Sequence, residues 1–127
     1  MMLEVEWHNA EQTIIYVKFL IGWQWSDLHD AVKEVHALIE TVEHEVYVIA
    51  DMLDTRTLPD NATAHFGSLS IKLHSRMKLL IDVTDSMFVR IMTSMFQKLQ
   101  PTGKNVVIAN SLEEAFSIIE KDRVASA

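Results

Sequence analysis

Four aspartates follow or close two apolar runs that are typical of buried strands, and no other side chains of this chain are better placed to hold a metal ion. They are Asp51, Asp54, Asp82 and Asp85. Because the carboxyl ends of parallel strands meet at one edge of a sheet, these carboxylates could share Mg²⁺ there for phosphoryl transfer. Aspartates at such positions also cap helices and turns, and the chain has neither a P-loop lysine motif nor a Gly-flanked serine nucleophile. We therefore predict no catalytic residue, no cofactor and no metal site, with a magnesium-dependent enzyme kept as an alternative.

Three residues of the first predicted helix have a spacing compatible with metal binding. His36, Glu40 and His44 follow one another at steps of four, which places them on one side of a helix. They flank the apolar stripe of that helix, so we expect them on its solvent-exposed side.

A further set of residues is suited to binding an apolar molecule. Methionine and aromatic side chains at helical spacing usually fill a core, but they line a pocket where the core is not tightly filled. The third predicted helix is rich in them, and two tryptophans precede the first helix. A small apolar-ligand or lipid-binding protein is therefore an alternative function, with Trp23, Trp25, Met92, Met95 and Phe96 as the ligand-binding residues.

The composition fits one globular domain. The chain has 127 residues, 49% of them apolar, which is the size of a single domain with a real core. The absence of cysteine excludes disulfides and thiol chemistry and fits a reducing cytoplasm, where we expect the protein. A net charge of -7 disfavours nucleic acid and anionic membranes as partners. No apolar run is long enough to cross a bilayer, so we predict no membrane span.

The apolar pattern predicts the order β-β-α-β-α-β-α-β-α. The predicted strands are 3–8, 13–21, 46–50, 77–83 and 106–109. The first predicted helix is 26–44, and the second runs from Pro59-Asp60-Asn61 to about residue 75. The third is capped by Asp85 or Ser86, and its predicted buried face contains Phe88, Ile91, Met92, Met95, Phe96 and Leu99. The fourth begins with a capping box at Ser111–Glu114 and ends in a frayed tail at 121–127. The first two strands should form an antiparallel hairpin, and strands joined through helices should pair in parallel. We therefore predict an α/β fold with a five-stranded, mostly parallel mixed sheet and four helices.

This order of elements resembles the STAS domain, and more closely the SpoIIAA-like branch of small bacterial proteins related to anti-sigma-factor antagonists. The resemblance covers nearly the whole chain and includes Val48-Ile49-Ala50-Asp51-Met52 and the segment from Ile108 to Ala115. It implies a regulatory module that binds a protein partner. In that family a phosphorylatable serine follows an aspartate at the start of the second helix. Here Asn61 follows Asp60, so the resemblance does not carry over the phosphorylation switch.

The leading functional prediction is therefore a non-catalytic STAS-like interaction module. The face of the second predicted helix opposite its core stripe carries small residues and one isoleucine, which suits close approach by a protein partner or by a second copy in a homodimer. The predicted partner-binding residues are Asp60, Asn61, Thr63, Ala64, Gly67, Ser68 and Ile71.

Overall fold

A five-stranded sheet forms the centre of the molecule in the computed structural model, which describes residues 2–61, 74–99 and 105–126. The strands lie side by side in the order in which they occur along the chain. They are β1 (Leu3–Trp7), β2 (Ile14–Phe19), β3 (Val46–Asp51), β4 (Met77–Val83) and β5 (Val106–Ala109).

The sheet is mixed, as the sequence predicts. β1 and β2 form an antiparallel hairpin in which Val5 lies opposite Val17. The other three pairs are parallel, with Val48 of β3 placed between Ile15 of β2 and Leu80 of β4. All six residues of β3 are buried, which is why this central strand is almost continuously apolar. The predicted α/β class and mostly parallel five-stranded sheet are therefore confirmed.

Three helices are described, on both sides of the sheet. They are α1 (Trp25–Glu40), α2 (Met87–Leu99) and α3 (Leu112–Ser126). The predicted second helix falls mainly on residues 62–73, outside the described residues. Within the part of the chain that is described, no helix is long and apolar enough to cross a membrane.

The two sides of the sheet have separate cores. Residues such as Ile15, Val48 and Ala50 pack with α1 and with Val89 of α2. Their neighbours along the strands point the other way and pack with α3, because successive side chains of a strand alternate between faces. This second core contains Ile14, Tyr47, Ile49, Ile81, Val83, Ala109, Ala115 and Ile119.

The ends of α1 differ from the prediction. The helix begins at Trp25 because the backbone N–H of Gln24, not a side chain of Ser26, is bound by the Asp27 carboxylate at 2.8 Å. This hydrogen bond holds the pKa of Asp27 below its usual value. The helix ends at Glu40 rather than near His44, since Thr41 takes the C-cap position and its hydroxyl donates to the carbonyl of Leu38 at 2.6 Å.

Residues 121–126 of the predicted frayed tail belong to α3, which continues to Ser126. Two side chains of the sheet hold its last turns in place. The Tyr47 hydroxyl donates to the Asp122 carboxylate at 2.6 Å, and the Lys78 ammonium lies 3.1 Å from the same carboxylate. The hydrogen bond from Tyr47, followed by that from Lys78, lowers the pKa of Asp122.

The buried face of α2 differs from the predicted one. Ser86 caps the helix as expected, with its hydroxyl accepting from the backbone N–H of Val89 at 3.4 Å. Val89, Thr93 and Phe96 are buried. The side chain of Leu99 lies outside the described part. Four apolar residues on one face of this helix are exposed instead. The exposed fractions are 70% for Met87, 48% for Phe88, 54% for Ile91 and 43% for Met95.

Candidate functional site

An apolar cavity of about 130 Å³ lies between the sheet and the helices α1 and α2. It is partly open to the surface, and strands β1 to β4 supply its floor while the two helices supply its sides. Its lining is apolar except at three described side chains, which are His36, Asp82 and Thr93. Among its apolar lining residues are Val17, Ala31, Val35, Val48, Ala50 and Leu80.

Three aromatic side chains form one wall of this cavity. Phe19 and Trp23 meet edge to face with their ring centroids 5.1 Å apart, and Trp23 meets Trp25 in the same way at 5.3 Å. The indole N–H of Trp23 donates to the Thr55 hydroxyl at 3.0 Å, and that of Trp25 donates to the backbone carbonyl of Asp60 at 2.8 Å. Because both indole N–H groups are bound by the loop that follows β3, the tryptophans contribute apolar ring surface to the cavity.

Asp82 places a carboxyl group in the cavity wall. It lies on β4, two residues after Leu80, and the two side chains therefore share one face of the sheet. The Thr93 hydroxyl of α2 donates to its Oδ2 at 3.2 Å. Burial raises the pKa of Asp82 to about 6, and the hydrogen bond from Thr93 offsets only part of this effect. The carboxylate is therefore mostly ionised at neutral pH although it lies in an apolar environment.

His36 lines the cavity from α1, so the expectation that it lies on the solvent-exposed side is wrong. Its ring meets that of His74 edge to face at 5.4 Å. The imidazole of His74 pairs with the Glu40 carboxylate, which lowers the pKa of Glu40. His44 is bound elsewhere, 2.8 Å from the carbonyl of Gln12. Since α1 ends at Glu40, helical spacing does not extend to His44, and His36 and Glu40 both meet His74 instead.

The four aspartates considered for the alternative magnesium site do not converge. Asp51 accepts from the Tyr16 hydroxyl, and the Lys18 ammonium lies 3.7 Å from Asp51 and 3.6 Å from Asp54. Burial, and then the hydrogen bond to Asp51, raise the pKa of Tyr16.

Asp85 and Asp82 lie apart from that cluster. Asp85 pairs with Arg56 at 2.7 Å, and Asp82 faces the cavity on the other side of the sheet from Asp51. Among the described residues, no group of three or more histidine and acidic side chains could hold a metal ion.

Four of the five residues predicted to bind an apolar ligand line the cavity. Trp23, Trp25, Met92 and Phe96 do so, whereas Met95 points away and is 43% exposed. The structure therefore brings this set together around one space, and its role in ligand binding stays a prediction. Asp82 was not predicted to line a cavity, although strand alternation places its side chain on the same face of the sheet as that of Leu80.

Most of the predicted partner-binding set falls outside the described residues. Asp60 and Asn61 are exposed, and Asn61 has a left-handed backbone with φ of 66°, which asparagine tolerates better than most residues. The rest of the set, Thr63, Ala64, Gly67, Ser68 and Ile71, lies in 62–73, where the structure is not described.

Comparisons with known proteins give no name to this site. No family model matches the chain, and searches of curated proteins and of solved structures found no match.

Proposed function

We propose that this protein binds a small apolar molecule in the cavity between the sheet and the helices α1 and α2. The observation that carries the proposal is the cavity itself, with an aromatic wall formed by Phe19, Trp23 and Trp25. Apolar and aromatic lining with a few placed polar groups is the usual composition of a ligand site. A water molecule in such a space would be poorly stabilised, because the walls offer it few hydrogen-bond partners.

The volume of the cavity limits the ligand. Sites for drug-sized molecules occupy roughly 300 to 1,000 Å³, whereas this cavity has about 130 Å³. An apolar cavity of about 150 Å³ holds one benzene molecule. The best-fitting ligand is therefore a single ring or a short alkyl chain. A long-chain fatty acid or a lipid would have to leave most of its chain outside.

The proposal is tested by measuring toluene binding with ligand-observed NMR and calorimetry. Ala31 lines the cavity from α1, and Ala37 is exposed on the same helix. The substitution Ala31→Leu adds side-chain volume to the cavity, while Ala37→Leu adds the same atoms to the surface. We expect the wild-type protein and Ala37→Leu to bind toluene equally, and Ala31→Leu to lose at least about tenfold in affinity, because filled volume cannot hold ligand.

Thermal unfolding of the three proteins checks that each is folded. Equal toluene binding by both leucine variants would mean that the ligand binds elsewhere. Absence of toluene binding by the folded wild-type protein would contradict the proposal.

The alternative proposal, a STAS-like module that binds a protein partner, depends on a different surface. Five of its seven predicted contact residues lie in 62–73, so the described geometry supports the cavity more directly. A magnesium-dependent enzyme has no supporting geometry among the described residues, because Lys18 pairs with Asp51 and Asp54, Arg56 pairs with Asp85, and no group of three or more histidine and acidic side chains could hold a metal ion.

A further inference from the structure

Asp82 is the one acidic residue among the described residues that line the cavity. Its carboxyl group lies in a wall made otherwise of apolar side chains, Thr93 and His36. Thr93 supplies one neutral hydrogen bond at 3.2 Å. Within residues 2–61, 74–99 and 105–126, Asp82 forms no ion pair, in contrast to Asp51 and Asp85. Its charge is therefore not balanced by a cation of the described protein.

An unbalanced carboxylate in an apolar cavity determines which ligands bind well. Burying such a charge is costly unless a cation or several hydrogen-bond donors accompany it. A ligand ammonium group would supply the missing positive charge and several donors at once. A ligand carboxylate would place two like charges close together in a poorly solvated space, which is unfavourable. The net charge of -7 acts in the same direction, because it attracts cations to the protein.

We propose that the cavity selects a small apolar molecule with one ammonium group, and that the Asp82 carboxylate binds this group. The inference rests on the proposed function, since the apolar walls must hold the body of the ligand. Asp82 determines the charge of the ligand, and the walls around Trp23 and Trp25 determine its size.

The test compares four probes that share one aromatic ring: toluene, benzyl alcohol, benzylamine and benzoate. Each is titrated into the wild-type protein and into Asp82→Asn at pH 7.5. Asparagine keeps the shape of the side chain and can still accept from Thr93, but it carries no charge. Toluene binding by Asp82→Asn reports whether the cavity is intact.

We expect the wild-type protein to bind benzylamine at least about tenfold more tightly than benzyl alcohol, and to bind benzoate least, because a charge-assisted hydrogen bond is stronger than a neutral one and like charges repel. In Asp82→Asn the preference for benzylamine should disappear, while toluene binding changes by less than about threefold.

Two failures are distinguishable. If toluene binds but benzylamine binds no better than benzyl alcohol, or if its advantage survives in Asp82→Asn, the inference about the ammonium group is wrong and the proposed function stands. If toluene does not bind while benzylamine binds through Asp82, the apolar walls alone do not hold a ligand, so the proposed function is wrong for uncharged molecules and stands only for molecules with an ammonium group. If neither probe binds, both proposals are overturned.

Discussion

The substitution Asp82→Asn should stabilise the protein at neutral pH, although it removes a charged residue of the cavity. The folded-state pKa of Asp82 is about 6, against an ordinary value of 3.8. The folded protein therefore holds the proton more tightly than the unfolded chain does. It follows that the ionisation of Asp82 favours the unfolded state, and that stability falls as the pH rises from about 4 to about 6.

The size of the effect follows from the difference between the two pKa values. One pKa unit corresponds to about 1.4 kcal/mol, so a shift of about two units gives a loss of about 3 kcal/mol at pH 7. Asparagine does not ionise and therefore avoids this loss. The free energy of unfolding of Asp82→Asn should exceed that of the wild type by up to about 3 kcal/mol at pH 7, and the two should converge near pH 4.

Urea unfolding at pH 4, 5, 6 and 7 measures this difference directly. Comparing the two proteins at each pH isolates the contribution of position 82, because every other side chain is present in both. Asp30→Asn is the matched control, because Asp30 is exposed on α1 and its substitution should change the pH dependence little. The reasoning would be refuted by a variant that is less stable than the wild type at pH 7, or by a difference that stays constant with pH.

Two further predictions concern α3. Tyr47→Phe removes the hydrogen bond to Asp122 and should lower the free energy of unfolding by about 1 kcal/mol. Amide hydrogen exchange should become faster only in residues 121–126. Unchanged exchange there would mean that other contacts hold the end of the helix. Ser111→Ala removes the acceptor that lies 3.1 Å from the Glu114 backbone N–H and should cost about 1 kcal/mol in urea unfolding, whereas an unchanged midpoint would show that this cap contributes nothing.

The sheet could be predicted almost residue by residue because each strand has a distinct pattern. The predicted and observed bounds agree at Met77–Val83 and Val106–Ala109, where runs of apolar, mainly branched side chains leave little choice of structure. Val46–Ala50 is short and continuously apolar, which is typical of a strand buried on both faces. The ends of α1 were harder to predict, because the cap is a backbone N–H bound by Asp27, a contact that residue type alone does not specify.

The orientation of α2 could not be predicted from its sequence. Its apolar residues occupy one broad face centred on Phe88 and Met95, so helical periodicity predicts that the middle of this face is buried, but Phe88 and Met95 are exposed. The polar residue Thr93 is buried because Asp82 of the sheet accepts its hydroxyl hydrogen bond. Val89 and Phe96, on the side of the apolar face nearest Thr93, are buried with it, whereas Met95 points outward, so four of the five predicted ligand residues line the cavity and the fifth does not.

The order of the strands in the sheet has a consequence for how the chain acquires its structure. Each described strand after β1 pairs with the described strand that precedes it in the sequence, so none of these strands has to be inserted between two that are already joined. The β1–β2 hairpin closes a loop of only a few residues and costs the least chain entropy. Each of the strands β3, β4 and β5 can then pair with the free edge of the sheet that has already formed. Each addition closes only the one chain segment that joins the new strand to its predecessor. We therefore expect folding to proceed from the hairpin towards β5, and to be compatible with pairing of the first strands while the chain is still being synthesised.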